Sequence, residues 1–137
     1  MLRKNRKLEL IKSVPLFSGC SKKELERVAA IADEIDFPAG RQLIRQGAPG
    51  REFFILIEGA VEVTRDGKRI SAMQPGDFFG EVALITKAPR TATVTTATPV
   101  DALVINAWDF EQLIVADSVI ALKVMRAVVE RLPDEDV

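Results

Sequence analysis

Hydrophobic and polar positions change their period twice along this chain, and the changes divide it into helices, strands and helices again. Residues 3 to 13 and 22 to 32 read as two helices. In the second, Leu25, Val28, Ala29 and Ala32 form an apolar stripe at helical spacing. Ser21 and Glu24 form a capping box at its start, in which each side chain satisfies the other's free backbone N–H. Between the helices, Val14-Pro15-Leu16-Phe17 is an apolar connector broken by proline, and Leu16 and Phe17 are expected to pack against the β region that comes next in the chain.

From Ile35 to about Asn106 the helical period is gone. Glycines at 40, 47, 50, 59, 67, 76 and 80 predict short strands joined by tight turns, hence a barrel or sandwich. Phe53-Phe54-Ile55-Leu56-Ile57 is apolar at every position, which predicts a strand covered on both faces. Val61–Thr64 and Arg69–Met73 flank Asp66-Gly67, a pair that favours a type I′ hairpin turn because both residues tolerate positive φ. Thr91 to Thr96 is β-branched and reads as a strand, as does Val100 to Ile105. Asn106 then caps a helix containing Trp108, Phe110, Leu113 and Ile114. A last helix starts near Ser118. Its apolar set, from Val119 to Leu132, is too wide for a helix that merely lies on a surface. Lys123, Arg126 and Glu130 form its narrow solvated stripe, and Pro133 ends it.

At 137 residues the chain is expected to be one domain: a helical segment over 1–34, a β region over 35–106, helices over 107–132 and a tail over 133–137. A hydrophobic content of 47% indicates a folded core, and a formal charge of -1 gives no general pull toward nucleic acid or anionic lipid. No apolar run approaches the roughly 20 residues of a membrane span. The single cysteine, Cys20, cannot form an internal disulfide, which fits a reducing cytoplasm. Its place at a helix entrance would suit a lowered pKa. There is no histidine, which removes histidine-based triads and histidine-rich metal cups, and no metal site is expected. The basic start (Arg3, Lys4, Arg6, Lys7) has three readings: a solvated face, a partner or lipid-headgroup contact, or nucleic acid.

Candidate chemistry concentrates in residues 78 to 94, Phe-Phe-Gly-Glu-Val-Ala-Leu-Ile-Thr-Lys-Ala-Pro-Arg-Thr-Ala-Thr-Val. Gly80-Glu81-Val82 can start a helix, whose free N–H groups suit an anion. Gly80 lets the backbone approach a ligand, and Arg90 can make a planar two-pronged phosphate contact. Glu81 can accept from a sugar hydroxyl. Taken singly, Glu81 also reads as a helix N-terminal charge and Arg90 as a surface cation. Together, and with Arg90 opening a strand expected to face a core, they point to a bound phosphate. Phe78 and Phe79 read as core, and Trp108 as a helix anchor. Asp77 and Glu81 make a poor hydrolytic pair, since a turn and a sugar contact account for them.

Phe79-Gly80-Glu81-Val82-Ala83-Leu84 followed by Pro89-Arg90-Thr91-Ala92-Thr93-Val94 resembles the phosphate-binding cassette of the cyclic nucleotide-binding domains, and the order of elements from about Leu16 to about Leu132 agrees with that family. The resemblance implies a mainly β, α+β fold: an eight-stranded jelly-roll-like β-barrel with N-terminal helices, a short cassette helix and two C-terminal helices. It implies a non-catalytic sensor of cyclic AMP or cyclic GMP, with cyclic AMP favoured. The site would comprise Phe79, Gly80, Glu81, Val82, Ala83, Arg90, Thr91 and Ala92. The phosphate would rest on the N–H groups of Val82 and Ala83 and against Arg90, with Glu81 on the ribose 2′-hydroxyl. Val128, Arg131 and Leu132 are the candidates for a lid over the base.

Thr91 carries a hydroxyl of the kind that family members accepting cyclic GMP often have. The expected partners are the nucleotide and an effector protein or domain, with no direct DNA binding and with a homodimer through the last helix as one option. The chain is expected to be either a free-standing module or a piece of a longer protein. The alternatives are a scaffold with a vestigial pocket and a nucleotide-hydrolysing enzyme. The latter would need metals or a positioned acid and base.

Overall fold

Local signals in the sequence set most element ends. The computed structural model describes residues 3–80 and 88–130. Helix α1 spans Lys4–Lys12, a 3-10 turn spans Pro15–Phe17, and α2 spans Lys22–Ala30. The capping box forms as expected: Glu24 N–H donates to Ser21 Oγ at 3.3 Å, and Ser21 N–H donates to Glu24 Oε1 at 2.7 Å. Helix α2 ends two residues earlier than predicted, because Ala32 already pairs with Ile105 in a sheet. Long-range strand pairing there overrides a helical period carried by one alanine.

Eight strands come next among the described residues: β1 Ala32–Phe37, β2 Gln42–Ile44, β3 Glu52–Glu58, β4 Val61–Arg65, β5 Lys68–Met73, β6 Phe78–Phe79, β7 Thr93–Thr96 and β8 Val100–Asn106. They form two four-stranded sheets, ordered β1-β8-β3-β6 and β2-β7-β4-β5, with every pairing antiparallel. This is the jelly-roll arrangement, built as two facing sheets. The hairpin between β4 and β5 turns at Asp66 (φ 53) and Gly67 (φ 79), the two positive angles that a type I′ turn requires. Helices α3 (Ala107–Ala116) and α4 (Ser118–Glu130) complete the described residues, and Asn106 Oδ1 caps α3 by accepting from Trp108 N–H at 2.8 Å.

The first sheet is the middle of three layers, and β3 shows why. Phe54 and Leu56 point into the core between the sheets, with Ile44, Val61, Val63, Val94 and Val104. Phe53 and Ile55 point the other way, into a second core formed with the helices. There Phe17 meets Phe53 at 6.4 Å and Phe110 at 6.0 Å, so Leu16 and Phe17 do pack on the β region. The all-apolar strand is therefore covered on both faces, as its sequence predicts.

Trp108 is not an anchor. It is 67% exposed, because the α3 face that meets the core is carried by Phe110. Nor is Lys123 part of a solvated stripe. It is half-buried and its ammonium reaches Glu24 of α2.

Candidate functional site

Strand β6 ends at the cassette, and its geometry starts with Phe79. That side chain is buried and stacks on Phe54 of the neighbouring β3, with centroids 5.0 Å apart and planes 15° apart. The stack fixes where the chain enters Gly80. Gly80 has φ 85, a backbone conformation that a side chain would strain. A Cβ there would lie 2.8 Å from Arg90 Nη1 and 2.8 Å from the Glu52 carbonyl oxygen. The glycine is required by crowding as well as by conformation.

The occupant of that space is the Arg90 guanidinium. Nη1 donates to the Gly80 carbonyl at 3.4 Å, and Nη2 donates to the Glu52 carbonyl at the start of β3. The Arg90 backbone is held as well. Its N–H donates to Ala48 O at 2.9 Å, its carbonyl accepts from Gly47 N–H at 2.8 Å, and Pro89 bridges to Pro49 alongside. The side chain is half-buried, and burial lowers its pKa while the Glu52 carboxylate raises it. Among the described residues, both hydrogen-bond partners of its side chain are neutral carbonyls. They orient the cation without neutralising it, so the arrangement suits an incoming anion.

The structure thus brings together Phe79, Gly80 and Arg90 from the two halves of the motif. Thr91 and Ala92 come directly after, but outside a strand, since β7 starts only at Thr93. Thr91 is exposed, and its carbonyl accepts from Arg65 Nε at 2.9 Å. Ala92 packs on the core between the sheets. Asp77 is engaged in the turn before β6, where it accepts from Gln74 N–H at 3.0 Å. Glu81, Val82 and Ala83, the predicted cassette helix, and the lid candidates Arg131 and Leu132 lie outside the described residues. Val128 is half-buried against the helical core. Among the described residues no group of side chains is arranged to hold a metal ion, and no helix is long and apolar enough to cross a membrane.

Cys20 is buried, and its pKa is raised, first by desolvation and then by Glu24. That corrects the expectation of a lowered value, because the helix-entrance effect is outweighed by burial beside a carboxylate.

Two features of the structure escaped the sequence. The Glu52 carbonyl is a backbone atom, and any residue at that register would offer it. The ion pair of Glu24 with Lys123 links residues 99 positions apart, a partnership that no local pattern encodes.

Residues 34–117 match the family model of the cyclic nucleotide-binding domain. A cyclic-AMP-dependent protein kinase regulatory subunit of Dictyostelium discoideum is 37% identical over 102 residues, covering 67% of this chain and 31% of that protein. A cyclic nucleotide-gated potassium channel of Mesorhizobium japonicum is 35% identical over 126 residues, covering 92% of this chain and 35% of the channel. The chain therefore spans about a third of the length of these curated relatives. Among solved structures, the N-terminal domain of a Streptomyces coelicolor transcriptional regulator superposes with a TM-score of 0.81 at 28% identity, over 89% of this chain and 91% of that one. The regulatory domain of a Toxoplasma gondii kinase of the same type, crystallised with cyclic AMP, gives 0.72 at 28% identity, over 82% of this chain and 46% of that one. With the motif, the two-sheet fold and the family model in agreement, the chain belongs to the cyclic nucleotide-binding domain family.

Proposed function

We propose that this domain binds a cyclic purine nucleotide, cyclic AMP in preference to cyclic GMP, as a non-catalytic regulatory module of the cytoplasm. The observation that carries the proposal is the Arg90 guanidinium, half-buried beneath Gly80 and oriented by neutral carbonyls. An anionic cyclic phosphate supplies the countercharge. The backbone N–H groups of Val82 and Ala83 would complete its cradle, and Glu81 would accept from the ribose 2′-hydroxyl. The lid over the base would come from Val128, Arg131 or Leu132, through repositioning of α4. An effector protein or domain would read that movement.

Nothing in this assignment asks for bond cleavage. The pocket groups each bind or orient, and Glu81 is committed to the sugar. Calorimetric titration with each nucleotide, then chromatography of the nucleotide after long incubation, tests the reading. Saturable binding with intact ligand is expected, and metal-dependent turnover would replace the sensor by an enzyme. The choice between nucleotides is tested by Thr91→Ala. If the Thr91 hydroxyl supports a guanine contact, the variant weakens cyclic GMP selectively, whereas equal changes for both nucleotides remove Thr91 from that role.

A further inference from the structure

We infer that Arg65, which lies outside both blocks of the motif, is a positioning residue of the nucleotide site: from the β4–β5 hairpin it holds Thr91 and so sets the choice between purines. The inference rests on the nucleotide binding proposed for this domain and on the guanine contact proposed for Thr91.

Residues 89–93 pass between two neighbours, because β7 lies between β2 and β4 in its sheet. On one side is the segment that follows β2. Gln46 N–H donates to Thr93 Oγ1 at 2.9 Å, Gly47 N–H to Arg90 O at 2.8 Å, and Arg90 N–H to Ala48 O at 2.9 Å. On the other side is the β4–β5 hairpin. The ladder of β4 with β7 runs from Val61–Thr96 to Thr64–Thr93 and stops there, since Thr91 and Ala92 are outside the strand. Arg65 is the next residue of β4. Its side chain carries the contact past the end of the ladder, with Nε donating to the Thr91 carbonyl at 2.9 Å.

The hairpin tip is itself tied to the first neighbour. Gln46 Oε1 accepts from Asp66 N–H, and Gln46 Nε2 donates to Asp66 Oδ1, both at 2.9 Å. The contacts close a ring that runs from Gln46 to Thr93, along the chain to Thr91, across to Arg65 and Asp66, and back to Gln46. The Arg65 side chain is exposed, but it starts from a backbone fixed in that ring.

The two motif residues are held unequally. Arg90 is tied through its N–H, its carbonyl and two guanidinium nitrogens. Among the described residues, the hydrogen bond on Thr91 is the one from Arg65. Loss of the Arg65 donor therefore frees Thr91 and leaves Arg90 in place. The phosphate contact, common to both nucleotides, is kept. A guanine contact through the Thr91 hydroxyl depends on where that residue stands, and a hydrogen bond stretched to about 3.6 Å is no longer one.

The test is calorimetric titration of cyclic AMP and cyclic GMP into the intact chain, Arg65→Met, Arg65→Gln and Thr91→Ala. Methionine has neither donor nor charge. Glutamine has no charge, but its Nε2 stands as many bonds from the backbone as the arginine Nε. Arg65→Met should weaken cyclic GMP three- to tenfold and cyclic AMP less than twofold. Arg65→Gln should stay within twofold of wild type for both. Combined with Thr91→Ala, Arg65→Met should weaken cyclic GMP no further, since the two act through one contact. Arg69→Met removes the same charge from the same hairpin by breaking the exposed Arg69–Glu62 pair, and should bind both nucleotides as wild type does.

Arg65→Met within twofold of wild type for cyclic GMP overturns the positioning role. So does an equal loss in Arg65→Gln, which assigns the effect to charge. Both results leave the proposed nucleotide binding standing. Equal changes for both nucleotides in Thr91→Ala overturn this inference together with the guanine contact. No binding by folded wild type overturns the proposed function itself. Should Arg65→Met fail to fold, Arg65→Ala takes its place.

Discussion

The core between the two sheets and the core under the helices are both apolar, yet they are closed by different means. Between the sheets, side chains from six strands interlock, Phe54 and Phe79 stack, and Arg90 is tied through its backbone and its guanidinium to fixed carbonyls. Under the helices, Phe17, Phe53 and Phe110 meet edge-on or tilted, and among the described residues the outer helix α4 buries Ile120 and Val124 and is tied to α2 by Lys123–Glu24 and, just before it, Asp117–Arg27. The difference separates a cradle side held by interlocked sheets from an outer helix that leaves much of its apolar surface in water. The fixed part holds Arg90, on which the proposed anion contact rests. The more exposed part includes Val128, one of the proposed lid residues.

The comparison breaks most visibly at Phe54. Truncation to alanine should cost about 3–5 kcal/mol of stability, since a fully enclosed aromatic ring leaves a cavity the sheets cannot collapse. By contrast, Leu122→Ala on the open face of α4 should change stability by less than about 0.5 kcal/mol. Urea denaturation of both variants measures the gap, and similar losses would show that α4 is packed as firmly as the sheets.

Gly80→Ala comes next. The added Cβ meets Arg90 Nη1 and the Glu52 carbonyl at 2.8 Å, in a backbone conformation that costs a non-glycine residue about 1–2 kcal/mol. The guanidinium must shift, so nucleotide affinity should fall about tenfold or more while the variant stays folded. Unchanged affinity would mean that Arg90 is not positioned through Gly80.

A smaller effect distinguishes the two regions by pH. In the helical layer, the hydrogen bond from Lys123, and then that from Ser21 N–H, hold the Glu24 carboxyl down to about 2 from an ordinary 4.5. A lowered folded pKa gives stability that is present above the ordinary value and is lost as pH falls toward about 2. Near the start of β8, Asp101 is half-buried. It sits opposite Asp36 and Glu58 in register, and hydrogen-bonded to Glu34. Its Oδ1 is buried and has no other hydrogen-bond partner among the described residues.

Desolvation, and then Glu34, push the Asp101 carboxyl up to about 6 from 3.8. Here the sign reverses: the stability is complete below the ordinary value and is lost as pH rises through about 6. Thermal midpoints measured between about pH 2 and 7 should therefore fall on both flanks. Asp101→Asn should flatten the upper flank only, and Glu24→Gln the lower flank only. Flanks that do not move separately would contradict this division of charge.

The same division explains what the sequence disclosed. Features written in neighbouring residues were legible: the Ser21–Glu24 box, the Asp66-Gly67 turn, the two-sided strand 53–57 and the Asn106 cap all formed. So did the juxtaposition of Gly80 with Arg90, because a motif of two blocks carried both. What failed depended on distant partners. The switch from α2 to β1 is decided by pairing with β8, the exposure of Trp108 by where Phe110 anchors α3, and the burial of Lys123 by a carboxylate 99 residues away. Cys20 departs from expectation for the same reason, since its environment is assembled from Glu24, Lys123 and Asp117.

Calorimetric titration of cyclic AMP into wild type and Arg90→Ala tests the central claim most directly. Charge-assisted contacts of the Arg90 kind are worth roughly 1.5–3 kcal/mol each. Wild type should bind saturably, and the variant should bind one to two decades or more weaker with its fold intact. Equal affinity in both proteins, or no heat from folded, ligand-free wild type, would contradict the role given to Arg90.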